Sequence, residues 1–191
     1  EDGWNGTLTS EFTREALGAD DNGQAMTLDL RSYFPVFPRH AVVAARVAGA
    51  ASWGDLVVRR QFSASGSGPQ LLGFDFGSDA IGLLRGLSED AIVGTRAAVV
   101  NVDYRFPLQQ IERGVGTWPA FARVLHGAVF VDAGHAWDDA FRSSEVTVSL
   151  GAELSLDAVV GYVLPLTFTA GGAWVSHDRG VVGFARVGRA F

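Results

Sequence analysis

Cysteine is absent from the 191 residues, and so is lysine: all 15 basic residues are arginine. Without thiols there are no disulfides, no cysteine nucleophile and no zinc–thiolate site. The missing lysine reads as genomic composition. The arginines form no basic run and do not interleave with aromatics, and the net charge is −6, so a nucleic-acid partner is excluded. Proline is scarce at six residues beside 24 glycines, a balance that does not favour a helical bundle. The chain starts at Glu1 with neither Met nor a cationic, apolar leader, which reads as a processed or excised product. What is present is apolar: 48% hydrophobic and 11% aromatic residues against 19% charged, enough for one domain with a continuous buried surface and too much for a disordered tail.

Periodicity gives the fold class. In Met26–Phe34, Met26, Leu28, Leu30, Ser32 and Phe34 alternate with Thr27, Asp29, Arg31 and Tyr33. Period two puts successive side chains on opposite faces and marks a strand. The pattern returns over Ala41–Ala51 and Ile92–Phe106, where Asn101, Asp103 and Arg105 oppose Val100, Val102 and Tyr104. It returns again over Glu145–Leu156, where Glu153 opposes Val148, Leu150 and Leu154. Weaker strands are expected at Gly6–Leu17, Arg123–Trp137, Val159–Val175 and Val181–Phe191. Ala158–Val175 is uncharged and long enough for a spanning helix, but Pro165, the Gly171-Gly172 pair and its alternation argue for a strand. The expectation is an all-β chain of eight strands.

Short connections and longer polar loops tend to alternate, as in a transmembrane barrel with tight turns at one end. The longest loop, about residues 52–91, separates strands three and four. The segment Gln109–Ala122, read as a long connection, breaks the rule. Eight antiparallel strands can close and so remove their edges. Two barrels compete: a soluble lipocalin-like ligand binder, apolar inside, and an outer-membrane barrel, apolar outside. Mid-strand charges of both signs (Asp29, Arg31, Arg46, Asp103, Arg105, Glu153) suit a narrow lumen. Rows of Val, Leu and Ala suit lipid, and Trp4, Phe34, Phe37, Tyr104, Phe106, Trp118, Trp137, Tyr162 and Trp174 suit interfacial girdles. The reading is an eight-stranded antiparallel transmembrane β-barrel in the bacterial outer membrane, with the lipid bilayer as its partner.

Four segments, in order, carry a resemblance. Leu83-Leu-Arg-Gly-Leu87 resembles a Val-Arg-Gly-aromatic motif, with Leu87 in the aromatic's place. Asn101-Val-Asp-Tyr-Arg-Phe-Pro-Leu108 resembles Asn-x-Glu-Tyr-Arg-x-Pro, and Phe130-Val-Asp-Ala-Gly-His-Ala-Trp137 resembles Phe-x-Asp-Ala-Gly-x-x-Trp. The ending Val187-Gly188-Arg189-Ala190-Phe191 resembles a barrel-assembly signal with a terminal aromatic. Together they resemble the surface-antigen superfamily of outer-membrane assembly factors (BamA/TamA-like) over residues 24–191. The resemblance implies that the chain corresponds to the C-terminal eight strands of a sixteen-stranded barrel, with the Arg-Gly loop on the outer side. It implies that Arg85, followed by Gly86, folds into the lumen and pairs with Asp103 and Asp132, with Glu153 on the same side. Both a plain pinning salt bridge and a latch needed for assembly activity fit that arrangement.

Catalysis is not expected. His135 follows Asp132 at a spacing that points the two to opposite faces, Ser176-His177-Asp178 sits at a hairpin tip, and His40 and His126 stand apart. No spacing suggests a metal site, and Ala64–Pro69 reads as a linker, so no cofactor is expected. The polar first strand must meet the last, and a weak seam there could admit a strand of a client outer-membrane protein. Three alternatives stay open: contact with the assembly machinery, a homodimer of half-barrels, and a passive membrane anchor for an upstream soluble domain.

Overall fold

A computed structural model of the chain describes residues 2–19, 21–37, 40–66, 79–80, 84–88, 90–114, 116–176 and 180–189. Eleven strands follow in chain order: β1 (Gly3–Thr13), β2 (Gly23–Val36), β3 (Ala41–Gly54), β4 (Phe62–Ser63), β5 (Asp79–Ala80), β6 (Val93–Gly94), β7 (Arg96–Gly114), β8 (Ala120–Trp137), β9 (Thr147–Val160), β10 (Leu164–Val175) and β11 (Val181–Arg189). Eight of them form one antiparallel sheet in the order β1-β2-β3-β7-β8-β9-β10-β11, each paired with its neighbour in the chain apart from the β3–β7 step. The three short strands form a second sheet, β5-β4-β6, within the β3–β7 connection.

The chain is therefore all-β, as the alternation required, with a long excursion after the third main strand. Among the described residues the sheet is open: β1 pairs with β2, β11 pairs with β10, and no pairing joins β1 to β11.

Several expected boundaries need correction. The first strand runs Gly3–Thr13 instead of Gly6–Leu17, because Glu15–Leu17 turn as a 3-10 segment closed by Gly18 at φ +90°. The expected connection Gln109–Ala122 is mostly strand. Its register shifts between Pro107 and Gln109 and again between Gln110 and Arg113, so the period of two is lost while pairing continues. Proline cannot donate to a ladder, which suits its place at the first shift. The sixth and seventh strands part at Gly161–Val163, not at Asp157-Ala158. Gly161 (φ +62°) and Tyr162 (φ +66°) make that turn. The fourth main strand starts at Arg96; Val93–Gly94 belongs to the small sheet. With these changes, all three connections at one end of the sheet are short: 37–40, 115–119 and 161–163.

The two faces of the sheet differ sharply. One is covered by the β3–β7 loop. Phe62, Ala64 and Leu84 of that loop are buried against Ala25, Ala50, Ala97, Val99 and Ala136 of the wall, with Leu87 and Ile92 packed around them. Alanines on the wall leave room for the loop's larger side chains. The other face is bare. Leu28, Leu30, Val47, Val100, Val102, Val129, Val131, Leu150, Leu154, Phe168 and Val187 all lie exposed on it.

Candidate functional site

The loop-covered face carries the charged residues. Strand register places Asn101 opposite Asp132 and Asp132 opposite Ser149. One step along, Asp103 faces Phe130 and Phe130 faces Gly151; one step further, Ala128 faces Glu153. Alternation then turns Asp103, Asp132 and Glu153 to the same side of three adjacent strands.

Arg85 enters from the loop between them and is fully buried. Its Nε and Nη2 donate to the two oxygens of Asp132 at 2.9 and 2.7 Å, and its backbone N–H donates to Asp132 Oδ2 at 3.2 Å. Nη2 also donates to Asp103. Nη1 faces Glu153 Oε2 at 3.5 Å. The Ser149 hydroxyl donates to the Arg85 carbonyl, and Asn101 Nδ2 donates to Asp132 Oδ1 at 2.8 Å. The guanidinium carbon lies 3.5 Å from the centroid of the Phe130 ring, a cation–π contact in a site shielded from water.

Two further arginines complete the balance. Arg105 donates to Asp103 at 2.8 Å, and Arg186 donates to both oxygens of Glu153 at 2.8 and 2.9 Å. Three guanidinium groups thus meet three carboxylates. Burial works against the charge of Arg85, but the carboxylates of Asp132 and Asp103 outweigh it and raise its pKa.

Glycine makes the geometry possible at two points. Gly86 has φ +90°, and a Cβ there would come within 2.7 Å of the Ala173 side chain and 3.1 Å of Val175. Only a glycine lets the loop turn against β10 immediately after Arg85. A Cβ on Gly151 would come within 2.7 Å of the Phe130 ring, so its absence gives that ring its place beneath the guanidinium.

The Leu84-Arg-Gly-Leu87 segment of the loop, the Asn101–Leu108 strand and the Phe130–Trp137 strand thus converge at one point. The chain matches the Omp85 superfamily domain over residues 1–167. It belongs to the Omp85 superfamily. No curated protein matches it.

Of the residues read from sequence, Arg85, Gly86, Asp103, Asp132 and Glu153 lie in this one cluster. Leu87, where the resemblance puts an aromatic, packs partly buried against the Phe62–Leu84 cluster. The C-terminal residues lie elsewhere: Val187 is exposed on the bare face, Gly188 is buried, Arg189 pairs with Leu166, and Phe191 lies outside the described residues. Sequence reasoning missed Ser149, Asn101, Phe130 and Arg186. Three of these signal their place by parity, since Asn101, Phe130 and Ser149 each sit two or four residues from an acidic member on the same strand.

The histidines stay outside the cluster. His135 Nε2 is 3.3 Å from Glu145 Oε2, with its ring stacked on Trp137, and His126 Nδ1 is 3.8 Å from Asp157. His177 lies outside the described residues. Among the described residues no group of three or more His, Asp or Glu could hold a metal ion.

Removing one partner of a buried ion pair costs about 3–5 kcal/mol because the other charge is left uncompensated. Asp132→Ala removes three hydrogen bonds to Arg85 and is expected to free the loop, whereas Glu153→Ala removes only its longest contact and leaves the loop docked. Arg85→Lys cannot restore the paired donors of the guanidinium. With no lysine in the chain, trypsin cleaves only after arginine. It should cut the native chain after the exposed Arg59 and Arg60 but not after Arg85. Cleavage after Arg85 should appear in Asp132→Ala and stay absent in Glu153→Ala. Equal protection of Arg85 in both variants would show that Asp132 is not its main anchor.

Proposed function

We propose that this Omp85 domain forms part of an outer-membrane β-barrel wall and assists the insertion or translocation of other proteins at the seam between β1 and β11. The carrying observation is membership of the Omp85 superfamily, and among the described residues the outer edges of β1 and β11 are unpaired. In lipid every backbone N–H and C=O needs a partner, and an incoming strand supplies one. The inward side of β1 is polar (Thr7, Thr9, Glu11), so its hold on a neighbour comes from backbone pairing more than from side-chain packing.

Membership of a superfamily of outer-membrane proteins supports the membrane part of the reading. The bare face supports it too, because its exposed aliphatic rows suit acyl chains. Phe34 pairs with Val43, about ten residues along β3 from Trp53. That is roughly 33 Å of strand, or about 25 Å in height at the usual tilt, which matches the apolar band of an outer-membrane barrel. A soluble lipocalin-like barrel needs the reverse arrangement, with the aliphatic rows facing inward and the charges in water. The domain is read as non-catalytic. A passive anchor is the reading that remains if client folding is unaffected.

Val131 lies mid-sheet on the bare face beside Val102 and Leu150. Val131→Arg should lower the stability of the chain folded into phosphatidylcholine vesicles by about 2–4 kcal/mol, the cost of an arginine near the bilayer midplane. A loss within about 0.5 kcal/mol, normal for a watery surface, would contradict the membrane reading. For the activity, an unfolded outer-membrane barrel client is added to vesicles with and without the folded chain. The expected result is client folding several-fold faster with the chain present; unchanged kinetics would leave the anchor.

A further inference from the structure

The outward row of β8 ends in a residue that does not suit lipid. Val129 and Val131 lie exposed on the bare face and Ala133 is half-buried, but His135, next in the same row, is only 7% exposed. What covers it is the connection from β8 to β9, residues 138–146, which folds back over that end of the face. Trp137 stacks on the imidazole with 5.8 Å between ring centres, and Phe141 meets it edge-on at 6.0 Å. Phe141 also packs edge-on against Trp137 at 5.1 Å, so the three rings form one unit.

The polar contacts of this unit are uneven. His135 Nε2 is buried 3.3 Å from Glu145 Oε2, yet among the described residues it makes no hydrogen bond. The charges around it are already engaged. Arg142 Nη1 donates to the other Glu145 oxygen at 3.1 Å, and the Thr95 N–H donates to Asp138 at 2.9 Å. Arg96, opposite Trp137 on β7, donates to the Asp139 carbonyl at 3.2 Å. On the other side, β9 brings Thr147 and Val148 beside Gly134 and Ala133, neither of them charged. Glu145 is therefore the carboxylate that faces the ring. A buried ring nitrogen without a hydrogen bond is costly, and a proton on it turns the same contact into a charge-assisted pair.

Depth adds to the effect. His135 stands four residues from Val131, about 13 Å along the strand and roughly 10 Å in height at the usual tilt. With Val131 near the midplane, that is the border of an apolar band about 25 Å tall, where an ion pair attracts more strongly than in bulk water. The depth rests on the membrane reading above; the contact rests on the fold.

We propose that His135 and Glu145 form a proton-operated clasp that holds the 138–146 loop against the lipid-facing side of β8. With the ring protonated, imidazolium and carboxylate attract and the loop stays down over Trp137. With the ring neutral that attraction is gone, and the aromatic contacts and the Asp138 and Asp139 anchors hold the loop alone. The clasp is thus closed on the acid side. It loosens as pH rises through the range in which histidines give up their proton, about 5 to 8. Opening lifts Phe141 off Trp137 and uncovers a titratable ring on an otherwise aliphatic wall.

The chain is folded into phosphatidylcholine vesicles and floated, and exchange of the Glu145 and Val146 amides is measured at about pH 5.5 and about pH 8, on either side of that range. Both amides are hydrogen-bonded within the turn that carries Glu145, to the carbonyls of Arg142 and Ser143. So short a turn does not persist in water once it is released. Each rate is divided by that of an unstructured chain at the same pH, which removes the ordinary pH dependence of exchange. Expected is protection roughly tenfold higher on the acid side, the worth of one charge-assisted hydrogen bond. Glu145→Gln and His135→Gln should each abolish that difference, while protected β8 amides around Val131 show the sheet to be intact. Equal protection at the two pH values in the floating chain, or a difference retained in Glu145→Gln, would overturn the clasp and leave the membrane reading intact. Chain that stays in the aqueous fraction would overturn both.

Discussion

A guanidinium buried in a protein interior is tolerated only when carboxylates surround it, and this requirement organises the molecule. Arg85 reaches Asp132, Asp103 and Glu153 from a loop that begins some thirty residues earlier, at the end of β3. Each carboxylate stands on a different strand of the sheet, so one side chain ties β7, β8 and β9 to the loop at once. Arg105 and Arg186 neutralise what Arg85 leaves over, which keeps the cluster balanced. The energy of such a cluster lies less in its net attraction than in the penalty for taking any one member away. That asymmetry favours a single loop position over several.

The neighbouring apolar contacts serve the same end. Phe62 and Leu84 fill a shallow bed of alanines, and the Phe130 ring forms a floor beneath the guanidinium. Gly86 and Gly151 matter for what they omit, one admitting a turn against β10 and the other an aromatic ring. With one face occupied in this way, the aliphatic rows have only the opposite side on which to lie. A second ionic group, Asp29 held by Arg46 at 2.7 Å and by Arg31 at 3.1 Å, continues the polar character of the covered face toward β2.

Much of this was legible in the residues themselves. Period two in Met26–Phe34, Ile92–Phe106 and Glu145–Leu156 gives the strands and their faces, and hence the shared side of Asp103 and Glu153. The pairing of Arg85 with Asp132 is of another kind. The two are 47 residues apart, and periodicity says nothing about contacts at that range. Their pairing came from resemblance to a family with the same order of segments. Bulges hid the far half of the β7–β8 hairpin, because a register shift reverses which parity faces inward. The turn at Gly161-Tyr162 was masked by an unbroken apolar run on both sides. Whether the edges meet was beyond reach, since alternation describes each strand alone and not the curvature of the sheet.

The central claim, that a charged anchor and not chain connectivity fixes the loop, is tested most directly by amide hydrogen exchange of the chain folded in lipid. The account predicts that the amides of Leu84–Ser88 exchange as slowly as those of β8 around Asp132, while the exposed turn Asp55–Arg60 exchanges quickly. Exchange of Leu84–Ser88 at the rate of that turn would contradict it.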